Sequence, residues 1–264
     1  IGICLLNMES GGGFPELTVT GTGSLTIDSQ KSAIQATGRV TIDTVHLDAG
    51  YASDGNGISA TIGDVTIRNC PFIKIKNRTA GNSSGAVRAS QSGNGTVRIE
   101  NSHAIVINEG GPAISAVAGK VELISSDVRA IGNTNGGKGT LLFGECTMDG
   151  GTLFIQNKGG EDSLEISGVQ PLNAINSAVI YGAQSSFILP LEGDCAWYIG
   201  CTYDEDPDEV HVPGSGYVFG DVVWNDNLYL GDGKTLAIGR YSKKDSSLTI
   251  PEGTTLDMPA GSKW

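Results

Sequence analysis

Val40-Thr-Ile-Asp-Thr44, Val65-Thr-Ile-Arg-Asn69, Val97-Arg-Ile-Glu-Asn101 and Val121-Glu-Leu-Ile-Ser125 are four versions of one phrase. Their first valines fall 25, 32 and 24 residues apart. A second phrase follows each of them: Val45-His-Leu47, Phe72-Ile-Lys-Ile75, Ala104-Ile-Val-Ile107 and Val128-Arg-Ala-Ile131. A third precedes each: Ala33-Ile-Gln-Ala36, Gly57-Ile-Ser-Ala60, Ala86-Val-Arg-Ala89 and Ala113-Ile-Ser-Ala116. In the triplets the outer residues are apolar and the middle one is often polar. Side chains alternate across a strand, so the outer pair faces in and the middle residue faces out. One such repeat cannot close a core alone. Stacked repeats can, each strand pairing with its counterpart one coil along. The spacing therefore predicts an all-β chain, a right-handed parallel β-helix built of three-strand coils.

Thr44, Asn69, Asn101 and Ser125 stand at one position, two residues after each triplet. Small polar side chains there predict a bend whose residues bond to turn backbone or to one another in a ladder. The unequal intervals are read as loops inserted near 77–84 and 91–95. Thr140-Leu-Leu-Phe143, Cys146-Thr-Met148 and Leu153-Phe-Ile155 continue the pattern, as do Leu164-Glu-Ile166, Ala178-Val-Ile180 and Phe187-Ile-Leu189. Roughly six turns are expected within 1–190. Residues 191–215 differ in composition: Cys195, Trp197, Tyr198, Cys201 and Tyr203 run into Asp204-Glu-Asp-Pro-Asp-Glu209. This reads as an irregular acidic connection. Residues 216–264 form a C-terminal β-repeat segment, in which Leu228-Tyr-Leu230 and Leu236-Ala-Ile238 return 20 residues later as Leu248-Thr-Ile250 and Leu256-Asp-Met258. The pattern is unfinished at Trp264, so a further module is expected.

Composition narrows the function. The formal charge is -12, which phosphate backbones repel, so no nucleic-acid partner is expected. No run of about 18 apolar residues exists, so no membrane span is expected in this chain. Five cysteines cannot all be paired, and no CxxC metal pattern occurs. Cys70 and Cys146 sit within strand-like triplets and are expected as buried thiols. Cys195 and Cys201 are close enough to bridge or to stay free. Gly11-Gly-Gly13 and Gly136-Gly137 precede no Lys-Ser/Thr, so they read as turns and not as phosphate loops. Asp204, Asp206 and Asp208 alternate like a calcium loop but lack its central Gly and distal Glu. No cofactor and no metal site is expected. Asn77-Arg-Thr79, Asn82-Ser-Ser84 and Asn94-Gly-Thr96 fit a glycosylation pattern and are read as marking exposed loops.

The triplets, together with Leu-Thr-Ile-Pro-Glu-Gly-Thr-Thr-Leu over 248–256, resemble the large repetitive surface proteins of gut bacteria, Firmicutes especially. Those are adhesin-like or carbohydrate-binding-type β-helix proteins. The resemblance covers most of the chain as a pattern, and it brings no catalytic residues with it. It implies an extracellular or cell-surface, bacterial, monomeric module for adhesion or glycan contact, or a structural stalk. Host or dietary glycans, or cell-wall components, would be its partners.

The rival is a carbohydrate-active enzyme, a polysaccharide lyase or glycoside hydrolase on the same scaffold. Glycoside hydrolysis needs paired carboxylates, one to protonate the leaving oxygen and one to activate water or attack. The chain has no Asp-Asp pair and no Gly-His-Gly, and His46, His103 and His211 have no matching acidic pair at equivalent positions. Arg68, Arg88, Arg98 and Arg129 stand mostly at outward strand positions and would form at most a weak basic stripe. A non-catalytic chain is therefore expected. The carbohydrate-binding candidates are Trp197, Tyr198 and Tyr203, whose rings can stack on sugar faces. The alternative is that they cap the open end of the β-helix core.

Overall fold

A computed structural model describes residues 2–5, 13–52, 55–79, 84–90, 94–133, 140–158, 164–166 and 172–182, with the strands 195–201, 211–212, 216–219, 221–223, 228–230, 236–238, 247–249 and 256–257. It is all-β, with no helix among the described residues. Parallel strands stack as a β-solenoid of about five turns, against the six expected. The five span 34–157, and further strands extend the stack at both ends. No helix of the described residues is long and apolar enough to cross a membrane.

The three phrases become three parallel sheets. The first stacks Ile3–Leu5, Ile34–Ala36, Ile58–Ala60 and Val87–Ala89, then 114–116, 141–143 and Leu164–Ile166. The second stacks Leu17–Thr20, Val40–Asp43, Val65–Arg68 and Thr96–Glu100, then 120–124, 145–149 and 172–175. The third stacks Ser24–Ser29, His46–Tyr51, Phe72–Asn77 and His103–Asn108, then 126–132, 151–157 and 177–182. In the later coils the turns tighten until the three strands merge, as in Ile114–Gly132 and Leu141–Asn157.

Register turns the triplets into columns. Val40, Val65, Val97, Val121 and Cys146 lie over one another inside the second sheet, and so do Ile42, Ile67, Ile99, Leu123 and Met148. All ten are buried. Ile34, Ile58, Val87, Ile114 and Leu141 form the matching column of the first sheet. Each such Val, Leu or Ile contributes about 1.5–3 kcal/mol by leaving water. Cys70 and Cys146 are buried free thiols, as expected, Cys146 within a strand and Cys70 at the corner after Asn69.

The bend expected at Thr44, Asn69, Asn101 and Ser125 is present, and its backbone is left-handed. Their φ angles are 61°, 54°, 45° and 45°, and Gly150 continues the series at 73°. Asn69 Nδ2 donates to Asp43 Oδ1 at 3.2 Å, and Asn101 Nδ2 donates to Asn69 Oδ1 at 3.4 Å. The next residue forms a second ladder inside the corner. Ser102 Oγ accepts from the Cys70 N–H at 3.0 Å and donates to the Glu100 carbonyl at 2.7 Å. Ser126 Oγ repeats this with the Ser102 N–H at 3.2 Å and the Ile124 carbonyl at 2.8 Å.

One sequence expectation is corrected. Asn77 does not mark an exposed loop: it is fully buried, and its Nδ2 donates to Asn108 Oδ1 at 2.8 Å. It belongs to an asparagine ladder closing the third sheet, where Asn108 also donates to the Pro112 carbonyl at 2.7 Å. Within 191–215, where an irregular connection is expected, Cys195–Cys201 is a strand. It pairs in parallel with 177–182 and antiparallel with Gly216–Phe219. The C-terminal strands pair in parallel too, Tyr217 with Ala237, Val222 with Leu248 and Leu228 with Leu256. Two of these pairings depart from the 20-residue offset of the sequence repeat.

Thr44 is β-branched at a left-handed position that asparagine fills in the next two coils. Thr44→Asn should raise stability by about 0.5–1 kcal/mol, read from the denaturant midpoint, because Asn tolerates this region and threonine does not. Gly151 has φ +85°, and a Cβ there would sit 2.2 Å from the Ser126 carbonyl oxygen. Gly151→Ala should therefore lower stability by at least ~2 kcal/mol in the same measurement.

Candidate ligand-contact groove

The polar middle residues of the triplets come together on the outer face of the second sheet. Thr18, Thr41, Thr66, Arg98 and Glu122 lie in register, one per coil. Together with Arg39, Asp64, Arg68 and Thr96 they line an open groove of about 510 Å³. Its floor is a row of threonines, and charged side chains stand along both edges.

Those charges are tied to one another across coils. Arg68 reaches back to Asp43, with Nη2 and Nε each 2.8 Å from Oδ2. Arg98 bridges Glu100 at 3.1 Å and Glu122 at 3.0 Å. Arg39 stands 3.7 Å from Asp64, whose other oxygen accepts the Thr96 N–H at 2.8 Å. The Arg68 hydrogen bond, and after it the one from Asn69, holds the Asp43 carboxyl below the usual carboxylate range. Hydrogen bonding to Glu100 raises the Arg98 guanidinium. Asp43 is thus an ionised acceptor at neutral pH, the opposite of what a general acid needs. Threonine hydroxyls, arginine N–H groups and carboxylate oxygens all line the groove. The arrangement can offer donors and acceptors to a hydroxyl-rich ligand at each coil repeat of about 4.8 Å.

The four arginines do not line up as even a weak basic stripe. Arg68 and Arg98 flank the groove, Arg88 stands on the first sheet and Arg129 on the third. Arg129 is buried, 3.5 Å from Asp127. His103 does have an acid partner, which its sequence context hides: its Nδ1 lies 2.7 Å from Asp127 Oδ2 one coil along. It also ends a ring stack. His46 and Phe72 lie 4.8 Å apart between centroids, and Phe72 and His103 5.8 Å apart with planes inclined by 19°. Rings stacked along the solenoid axis cover one another's faces and turn their edges outward, so this stack braces the wall without offering a platform for a sugar.

Trp197 and Tyr198 lie in the strand Cys195–Cys201 at the end of the third sheet, in register with Val179 and Ile180. Their backbone places them on a different sheet from the groove. Tyr203, and the acidic run at 204–209, lie outside the described residues. The groove residues were missed as a site, although their signal was present as the polar middle position of successive triplets. Among the described residues no group of three His, Cys, Asp or Glu is placed to hold a metal ion.

Compared with known proteins, the chain matches no family model, no curated protein and no solved structure.

Arg68→Gln should return the Asp43 carboxyl toward its ordinary range, read from its side-chain carboxyl resonance during an acid titration. A carboxyl whose folded pKa is depressed contributes stability above its unfolded pKa and loses it as pH falls through the folded one. The wild-type chain should therefore lose this contribution on acidification through the lowered Asp43 pKa, and Arg68→Gln should keep only the smaller part that Asn69 and Thr44 supply.

Proposed function

We propose that this chain is a non-catalytic module that meets an extended glycan along the outer face of its second sheet. The observation carrying this reading is the groove itself, a threonine floor edged by arginines and carboxylates that already hold one another. Such edges give many directional hydrogen bonds, while Asp43, Asp64, Glu100 and Glu122 are engaged with cations and not poised as an acid–base pair. The likeness of the repeats to adhesin-like surface proteins of gut bacteria supports an adhesive role outside or on a bacterial cell. Host or dietary glycans and cell-wall components are the partners it favours. Trp197 and Tyr198, at the end of the third sheet, would then offer a separate contact or cap the stack.

A glycan-array screen, followed by mass spectrometry of incubated polysaccharides, tests this. The chain should bind a subset of extended glycans and release no fragments. Thr66→Arg, which places a long cation on the groove floor, should weaken binding about tenfold, or ~1.4 kcal/mol. Cleavage of a polysaccharide would instead establish an enzyme. Binding untouched by Thr66→Arg, or no binding at all, would remove the groove from the account.

A further inference from the structure

Among the described residues, Arg39, Arg68, Arg78, Arg98 and Arg129 each set a guanidinium nitrogen against a carboxylate. Arg88 faces none. Its one hydrogen bond is a long contact, 3.4 Å, from Nη1 to the Ser84 hydroxyl. The chain carries 29 acidic residues against 17 basic ones, so a partly buried arginine with no acid beside it is out of keeping with the rest of this chain.

Its surroundings are built in the same unusual way. Arg88 lies between the inward-facing Val87 and Ala89, so it projects from the outer side of the first sheet. In register it is flanked by Ser59 one coil before and Ser115 one coil after. These serines are 2% and 3% exposed. Ser59 Oγ and Arg88 Nε are both buried without a hydrogen-bond partner. Burial also lowers the Arg88 pKa, since desolvation disfavours the charged form. Buried donors are nearly always satisfied in folded proteins, and two unsatisfied ones on adjacent rungs mark a place where an acceptor belongs.

We propose that Arg88, with the Ser59 and Ser115 hydroxyls on either side of it, binds a single oxyanion group, a carboxylate or phosphate carried by a ligand. A guanidinium presents a planar fork that matches two oxygens of such a group, and the serines supply donors to the remaining lone pairs. The site lies on the first sheet, apart from the groove of the second, and does not depend on the glycan reading.

Isothermal titration calorimetry of the full chain at fixed ionic strength, with inorganic phosphate in one arm and glucuronate in the other, tests it. At least one probe should bind with one-site saturation. The arm that saturates tells whether the group is a phosphate or a sugar carboxylate. Arg88→Gln should weaken that binding at least tenfold. Arg88→Lys, which keeps the charge and loses the fork, should fall between. Ser59→Ala should weaken it several-fold while the melting temperature without ligand stays the same, and it carries the test should Arg88→Gln not fold. No saturation by either probe up to concentrations on the order of 10 mM, which is an affinity too weak for a built site, would overturn the proposal. So would equal binding by wild type and Arg88→Gln, or by wild type and Ser59→Ala.

Discussion

One left-handed residue per coil, at the corner between the second and third sheets, holds the rest of the structure in place. Along the strand Val40–Asp43, Val40 and Ile42 point in while Thr41 and Asp43 point out. Simple alternation would then send Thr44 inward and Val45 outward. The positive φ at Thr44 breaks that alternation. Thr44 stays outside, Val45 is buried, and the next strand starts with its apolar residues already facing the core. Asn69, Asn101 and Ser125 do the same in later coils. If this corner kept an extended backbone, every side chain of the third sheet would be exchanged between core and solvent.

The corner also explains why its inner neighbour changes character along the stack. A sharp bend leaves backbone groups that the sheets do not pair, and buried ones must find partners. Val45 has no polar atom to give, and Cys70 offers a weak donor, its thiol 3.2 Å from the Arg68 carbonyl. At Ser102 and Ser126 the position is a hydroxyl that accepts from the coil before and donates within its own coil, and Gly151 takes its place in the coil after them. Ser177 repeats the inward bond, donating to the Ile175 carbonyl at 2.6 Å.

Most of the fold was legible because a solenoid writes its contacts locally. Register, sheet membership and core columns all follow from where the Val-x-Ile triplets recur, and so does the bend at Thr44, Asn69, Asn101 and Ser125. What escaped reading depends on which side chains meet across coils. Asn77 carries a glycosylation-like pattern, and only its stacking on Asn108 shows that it is interior. His103 and Asp127 lie 24 residues apart in sequence and 2.7 Å apart in space. The groove was hidden for a related reason. A threonine in the middle of a triplet looks like ordinary surface until the register sets Thr18, Thr41 and Thr66 in one row.

The charged edges of that row answer a difficulty particular to parallel stacks. In-register coils place equivalent positions over one another. This suits isoleucine and asparagine but sets like charges together wherever a repeat is copied faithfully. This chain alternates sign instead. Asp43, Arg68 and Glu100 follow one another in one column, Arg98 and Glu122 in the next, and Lys120 lies 2.8 Å from Glu145 beyond. Exposed pairs of this kind contribute about 0–1 kcal/mol each, too little to explain the stability of the stack. Their effect is greater on the order of the coils. Were the coil of Arg68 skipped, Asp43 would face Glu100 directly, and the arginine that now separates them would be lost from both. The hydrophobic columns would accept that error almost unchanged, since Val40 and Val97 are interchangeable. The charges are what tell one coil from the next. The same alternation sets the groove's three arginines against two carboxylates of its own lining, Asp64 and Glu122, and two beside it, Asp43 and Glu100. Its contact with a ligand must then rest on matched hydrogen bonds and not on long-range attraction.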